Sequence, residues 1–222
     1  MSTAPLQVLV RAITYEAEGI LSIELVHPAG RELPAFTAGA HLDVHMSPGL
    51  VRQYSLCNDP AERLRYVVAV LYEPMGKGGS KFMHEQVRPG DTLYVSAPRN
   101  YFPLAAEAKR HLLLAGGVGI TPMMAMVAEL VRKDADFTLH YCTRSPEKTA
   151  FRNKLLPLAQ HVLGPGMSVV PAVRVKAWSI SDAAIALAAV VAAVVAGFGW
   201  WLLTNRKSKS AGGETHGGRS PS

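Results

Sequence analysis

The chain has 222 residues, 49% of them hydrophobic and 18% charged, which excludes a disordered chain and leaves room for one large domain or two small ones. The net charge of +6 is unevenly spread: residues 1–166 carry 17 Lys/Arg against 15 Asp/Glu, and residues 167–222 carry 6 against 2. The basic excess belongs to the C-terminal quarter, and with no basic stripe interleaved with aromatics the sequence has no nucleic-acid footprint.

Short β-rich runs fill the first hundred residues. Residues 6–15, 20–27, 41–46, 51–56, 65–72 and 92–96 read as strands between Gly/Pro punctuation, with one helical run over 80–87. Alternation of Leu21, Ile23 and Leu25 with Ser22 and Glu24 marks a half-buried sheet. Six short strands without a long helix between them predict a six-stranded antiparallel barrel. The texture then changes. Residues 112–116 form a continuous apolar strand suited to burial on both faces. Thr121 and Pro122 suit an N-cap and first helical position, opening a helix to about Lys133. A strand over 137–142 and a helix over 147–162 complete a β-α-β-α pattern, the start of a Rossmann-like α/β domain.

That pattern stops at Gly164-Pro165-Gly166. Residues 183–203 lack any charge, span roughly 31 Å as a helix, and are bracketed by Trp178, Trp200 and Trp201; they predict a transmembrane helix. The expected organisation is therefore an antiparallel barrel over 1–105, a partial α/β domain over 106–163, a linker over 164–182, the membrane helix over 183–203 and a polar basic tail over 204–222. The opening residues show no charged stretch followed by an apolar core, so the first domains are expected in the cytoplasm, tethered to a membrane or free. Cys57 and Cys142 are the only cysteines, which excludes a disulfide framework and a four-thiolate iron–sulfur cluster within these residues. His41 and His45 have a helical ligand spacing, but on a strand four residues separate them by roughly 13 Å, so no metal is assigned.

Three motifs carry chemistry. Arg52-Gln53-Tyr54-Ser55-Leu56 offers a cation, an aromatic ring and a hydroxyl; alternation puts Arg52 and Tyr54 on one strand face and Ser55 on the other. Gly76-Lys77-Gly78-Gly79-Ser80 precedes a helix, where bare amides suit an anion. Gly116-Gly117-Val118-Gly119-Ile120-Thr121-Pro122 is a glycine turn between strand and helix, with Pro122 in place of a final glycine. The following strand ends Cys142-Thr143-Arg144-Ser145 with no acid for ribose hydroxyls, so NADH and NADPH both stay open.

In this order, and together with Pro34-Ala35-Phe36-Thr37-Ala38-Gly39-Ala40-His41, Cys57-Asn58-Asp59-Pro60 and Pro98-Arg99-Asn100-Tyr101-Phe102-Pro103-Leu104, these motifs resemble the phthalate dioxygenase reductase and vanillate O-demethylase reductase family of the ferredoxin–NADP reductase superfamily. The resemblance covers about residues 5–160. It implies FMN, rather than FAD, held by Arg52, Tyr54, Ser55 and Leu56, with Gly78, Gly79 and Ser80 as phosphate loop. It implies NADH or NADPH along Gly116, Gly117, Gly119 and Thr121, with Thr143, Arg144 and Ser145 near the adenosine end. Hydride would pass to flavin and electrons onward to a ferredoxin or oxygenase in trans. The family's Cys-Gly-Pro turn and C-x₄-C-x₂-C ferredoxin run do not occur in these 222 residues, which suggests a truncated or fused chain, a flavin-binding remnant with slow turnover being the alternative.

Overall fold

The computed structural model describes residues 4–46 and 49–162. Six strands form one antiparallel sheet: β1 (Leu6–Ala17), β2 (Ile20–Val26), β3 (His41–His45), β4 (Val51–Ser55), β5 (Arg65–Leu71) and β6 (Thr92–Val95), in the order β4-β3-β6-β1-β2-β5. The two outermost strands meet. Leu56 bridges to Val68, and the Cys57 N–H donates to the Val67 carbonyl at 2.8 Å, so the sheet closes on itself. Closure removes the free edges that an open sheet would expose. Irregular register in β1, between Val10 and Ala12 and between Tyr15 and Ala17, supplies the local bending a closed sheet needs.

Alternate residues fill the interior. Val8, Val10, Ile23, Leu25, Leu42, Val44, Val68 and Val95 are fully buried. Each such side chain contributes roughly 1.5–3 kcal/mol relative to exposure. Helix α1 (Gly79–Glu85) drops Met83 into one end of this core.

The second layer is β7 (His111–Gly116), α2 (Ile120–Arg132), β8 (Phe137–Cys142) and α3 (Arg152–Val162). β7 and β8 pair in parallel from His111↔Phe137 to Gly116↔Cys142, with α2 as the crossover. Side chains of α2 and α3 bind the layers together. Met126 of α2 packs toward the Gly39 loop, Arg132 pairs with Asp59 at 3.6 Å, and Lys154 of α3 reaches the buried Glu16 carboxylate of β1 at 3.0 Å.

Several expectations need correction. Helix α2 begins at Ile120, not Pro122: the Gly117–Gly119 segment is already a 3-10 turn, Gly119 rather than Thr121 occupies the cap, and Thr121 is buried inside the first turn. The helix expected from 147 starts only at Arg152. A short 3-10 turn (Pro146–Lys148) precedes it, the Glu147 carbonyl is held by the Glu18 N–H at 2.8 Å, and Phe151 takes a left-handed backbone (φ 59°) that interrupts any continuous helix. β7 is buried on one face only, since Leu112 and Leu114 are 62% and 41% exposed. Among the described residues no helix is long and apolar enough to cross a membrane; the run 183–203 lies outside them.

Candidate functional site

The register of β3 and β4 settles how the Arg52 motif is displayed. Arg52 stands opposite Val44 and Tyr54 opposite Leu42, while Ser55 stands opposite His41. Residues directly opposite share a face, so Arg52 and Tyr54 sit together and Ser55 points away from them, as alternation requires.

Arg52 also ties β4 to the glycine loop. Its guanidinium donates to the Val51 carbonyl at 2.8 Å and to the Lys77 carbonyl at 3.0 Å. The remaining N–H groups of its five-donor fork stay open for an anion. Its stem lies directly on Gly79, where a Cβ would come within 2.5 Å of Arg52 Cγ. Gly78 adopts φ 86°, a left-handed conformation that favours glycine, and any side chain there would project into open space. Ser80 closes the loop: its hydroxyl accepts from the Glu73 N–H at 3.0 Å and donates to the Glu73 carbonyl at 3.3 Å. A cation and bare glycine backbone thus lie side by side, and this donor set fits a phosphate.

Tyr54 is half-buried. Burial pushes its phenol up to about 12, against the lowering effect of the Arg52 charge, so it is a neutral ring at physiological pH. Leu56 is fully buried and gives its N–H to the Ala40 carbonyl at 2.9 Å, so it serves the barrel seam. Cys57 is buried as well, and burial raises its thiol to about 12. Such a thiol is inert as a nucleophile.

The other motifs meet at the carboxyl end of the parallel pair. Gly116 and Cys142 are partners, so the turn after β7 and the segment after β8 emerge side by side. That end of a parallel sheet is where α/β folds bind ligands. At Gly116, Gly117 and Gly119 an added Cβ would meet nothing within 4 Å. Backbone is therefore open to a close-approaching pyrophosphate ahead of the 13-residue helix α2. Thr143 and Thr149 hydroxyls lie 2.7 Å apart and both address the Ser145 carbonyl, at 3.3 and 3.0 Å, which rigidifies the loop carrying Arg144. Arg144 is exposed, without an ion-pair partner among the described residues.

Two of the stretches that carry the family resemblance, 34–41 and 98–104, meet in a contact that the sequence does not announce. The segment after β6 folds back over the loop before β3. Asn100 Nδ2 donates to Thr37 Oγ1 at 2.7 Å and to the Ala38 carbonyl at 2.8 Å, while its Oδ1 accepts from the Phe102 N–H at 2.9 Å. Arg99 pairs with Asp43, which also accepts from Gln53 at 3.1 Å. These partners are separated by up to 63 residues, beyond the reach of any local pattern.

Comparison with known proteins supports the fold. Residues 113–186 match the oxidoreductase NAD-binding domain family, a match that runs across the stretch read as a linker. The reductase subunit of tert-butanol monooxygenase / tert-amyl alcohol desaturase from Aquincola tertiaricarbonis is 53% identical over 154 residues, 69% of this chain and 46% of that protein. The vanillate O-demethylase oxidoreductase of Pseudomonas putida is 54% identical over 140 residues, 63% of this chain and 44% of that protein. The solved phthalate dioxygenase reductase superposes with a TM-score of 0.72 at 39% identity, covering 81% of this chain and 56% of that one. The chain is a relative of the phthalate dioxygenase and vanillate O-demethylase reductases. It spans about half the length of the curated relatives it matches.

Proposed function

We propose that this chain is the flavin-binding, nucleotide-facing part of an NAD(P)H-dependent reductase that passes electrons to an oxygenase component or ferredoxin in trans. The observation that carries the reading is Arg52. Its guanidinium joins the Tyr54 strand to the Gly76–Ser80 loop through the Lys77 carbonyl, so that one cation serves a ring-binding strand and a phosphate-binding turn together.

In this reading Arg52 neutralises the FMN phosphate through charge-assisted hydrogen bonds, with the Gly78, Gly79 and Ser80 backbone alongside. The neutral Tyr54 ring lies against isoalloxazine, Ser55 addresses its reactive edge, and Leu56 fixes the strand end in the seam. Gly116, Gly117, Gly119 and Thr121 receive the pyrophosphate of NADH or NADPH, with Thr143, Arg144 and Ser145 at the adenosine end. The flavin, when bound, supplies the conversion of a two-electron donor into single electrons; the protein supplies placement and electrostatics.

The exposed Leu112–Leu114 face of β7 favours a second reading, in which flavin binds while nucleotide oxidation is slow. Placement errors of about 1 Å cost on the order of a hundredfold in rate. Two measurements separate the readings. FMN titration of the apoprotein should show saturable binding, and no binding overturns both. Anaerobic stopped-flow should then show whether NADH bleaches the flavin as fast as in an intact relative assayed alongside; bleaching much slower than dithionite permits selects the second reading.

A further inference from the structure

His41 and Ser55 face each other across β3 and β4. The backbone bonds define the kind of pair. The Leu56 N–H donates to the Ala40 carbonyl and the Met46 N–H to the Leu50 carbonyl, which makes the even-numbered residues of β3 the hydrogen-bonded partners. His41 instead exchanges its backbone bonds with Arg99 on the other side, at 2.9 and 3.0 Å. His41 and Ser55 are therefore a narrow, non-hydrogen-bonded pair, the arrangement in which opposite side chains stand closest.

The imidazole is held but not satisfied. Its ring lies 5.5 Å from the Tyr101 ring, and Nε2 is buried with no hydrogen-bond partner. Nδ1 is not buried in this way and has no partner among the described residues either. A neutral imidazole carries one N–H, and a buried, unpaired donor is costly. The proton accordingly belongs on Nδ1. A second proton on Nε2 is disfavoured by burial and by the neighbouring Arg99 charge, which outweigh Asp43 and lower the ring's pKa.

We infer that His41 is a cofactor-contacting residue, presenting Nδ1–H as a neutral hydrogen-bond donor, beside Ser55, to an acceptor atom on the isoalloxazine ring of bound FMN. This rests on the proposed flavin site and adds to it a residue whose sequence spacing had suggested only a metal. A donor aimed at the ring stabilises the electron-rich reduced state more than the oxidised one, so it should raise the midpoint potential.

The test uses the full 222-residue chain loaded with FMN and three variants. Asn places an amide N–H near the Nδ1 position, Gln places one near Nε2, and Leu keeps bulk without a donor. Loss of the donor in His41→Leu should change the preference for reduced over oxidised flavin about tenfold, read as a midpoint potential about 30 mV more negative for the two-electron couple. The visible flavin spectrum should shift with it. His41→Asn should restore both readouts and His41→Gln should not. An unchanged potential and spectrum in His41→Leu overturns the assignment. If that variant does not fold, equal potentials in the Asn and Gln variants overturn it. A wild-type chain that binds no FMN removes the flavin site itself, an outcome distinct from a flavin-loaded protein indifferent to residue 41.

Discussion

Arg52 lies across Gly79 with no space between them: a Cβ on Gly79 would sit 2.5 Å from Arg52 Cγ and 3.2 Å from Nε. The clash is with the root of the side chain, so the guanidinium would have to leave the Lys77 carbonyl. Gly79→Ala is therefore expected to weaken FMN binding while leaving the barrel folded. Arg52→Ala should cost about 1.5–3 kcal/mol of FMN affinity, the range for hydrogen bonds to charged groups. Flavin fluorescence titration with a parallel thermal melt checks both. Wild-type affinity in either variant would remove this pair from the site.

Gly39 has the opposite character, because its obstacle is backbone. It adopts φ 92°, and a Cβ would lie 1.9 Å from the Phe102 carbonyl oxygen and 3.0 Å from Met126 Cε. Gly39→Ala combines left-handed strain with overpacking and should destabilise the fold by about 4 kcal/mol. Urea unfolding gives the number. A loss below about 1 kcal/mol would mean that the Phe102 segment detaches freely from the barrel.

Acid stability should depend on Glu24. Its carboxylate is largely buried, which alone would raise its pKa, but the hydrogen bond from Arg65 (2.7 Å) and the ion pair with Arg11 outweigh burial and lower it. A lowered folded pKa means that the unfolded chain binds more protons between the two values. The contribution is thus present above the ordinary value of 4.5 and is lost as pH falls below it through the folded value. Stability measured from pH 6 to pH 3 should fall less steeply in Glu24→Gln than in wild type. Equal slopes would show that Glu24 is not a controlling group.

β7 gives a paired prediction. Leu112→Lys places a charge on the exposed face and should cost less than about 0.5 kcal/mol, as surface substitutions do. Leu113→Ala, on the buried face one residue on, should cost about 2–5 kcal/mol. Similar costs at both positions, measured by denaturant unfolding, would show that something covers the Leu112 face in solution.

The strand segments, the glycine turn after β7 and the opposed faces of Tyr54 and Ser55 were legible in the sequence because each depends on local chemistry. Alternation sets which face a strand residue occupies, and glycine spacing marks where backbone must bend or lie bare. The boundaries of α2 and α3 were less legible. Thr121 has the composition of a cap, yet the 3-10 turn at Gly117–Gly119 starts the helix early and places Thr121 inside its first turn. The left-handed Phe151 delays α3, and its side chain is held in the core.

Residue order alone, then, determined a β-rich half followed by a β-α-β-α half, and the motifs that each would display. Tertiary structure decided what those motifs touch. The Leu56–Val68 seam closes the sheet, Arg52 is delivered to the Lys77 carbonyl, and Asn100 is stapled onto Thr37. The pairing of His41 with Ser55 and the open face at Leu112 arise in the same way. Each is a contact between segments distant in the chain, or the lack of one. Such contacts follow from how curved sheets and helices fill space together, which local periodicity does not encode.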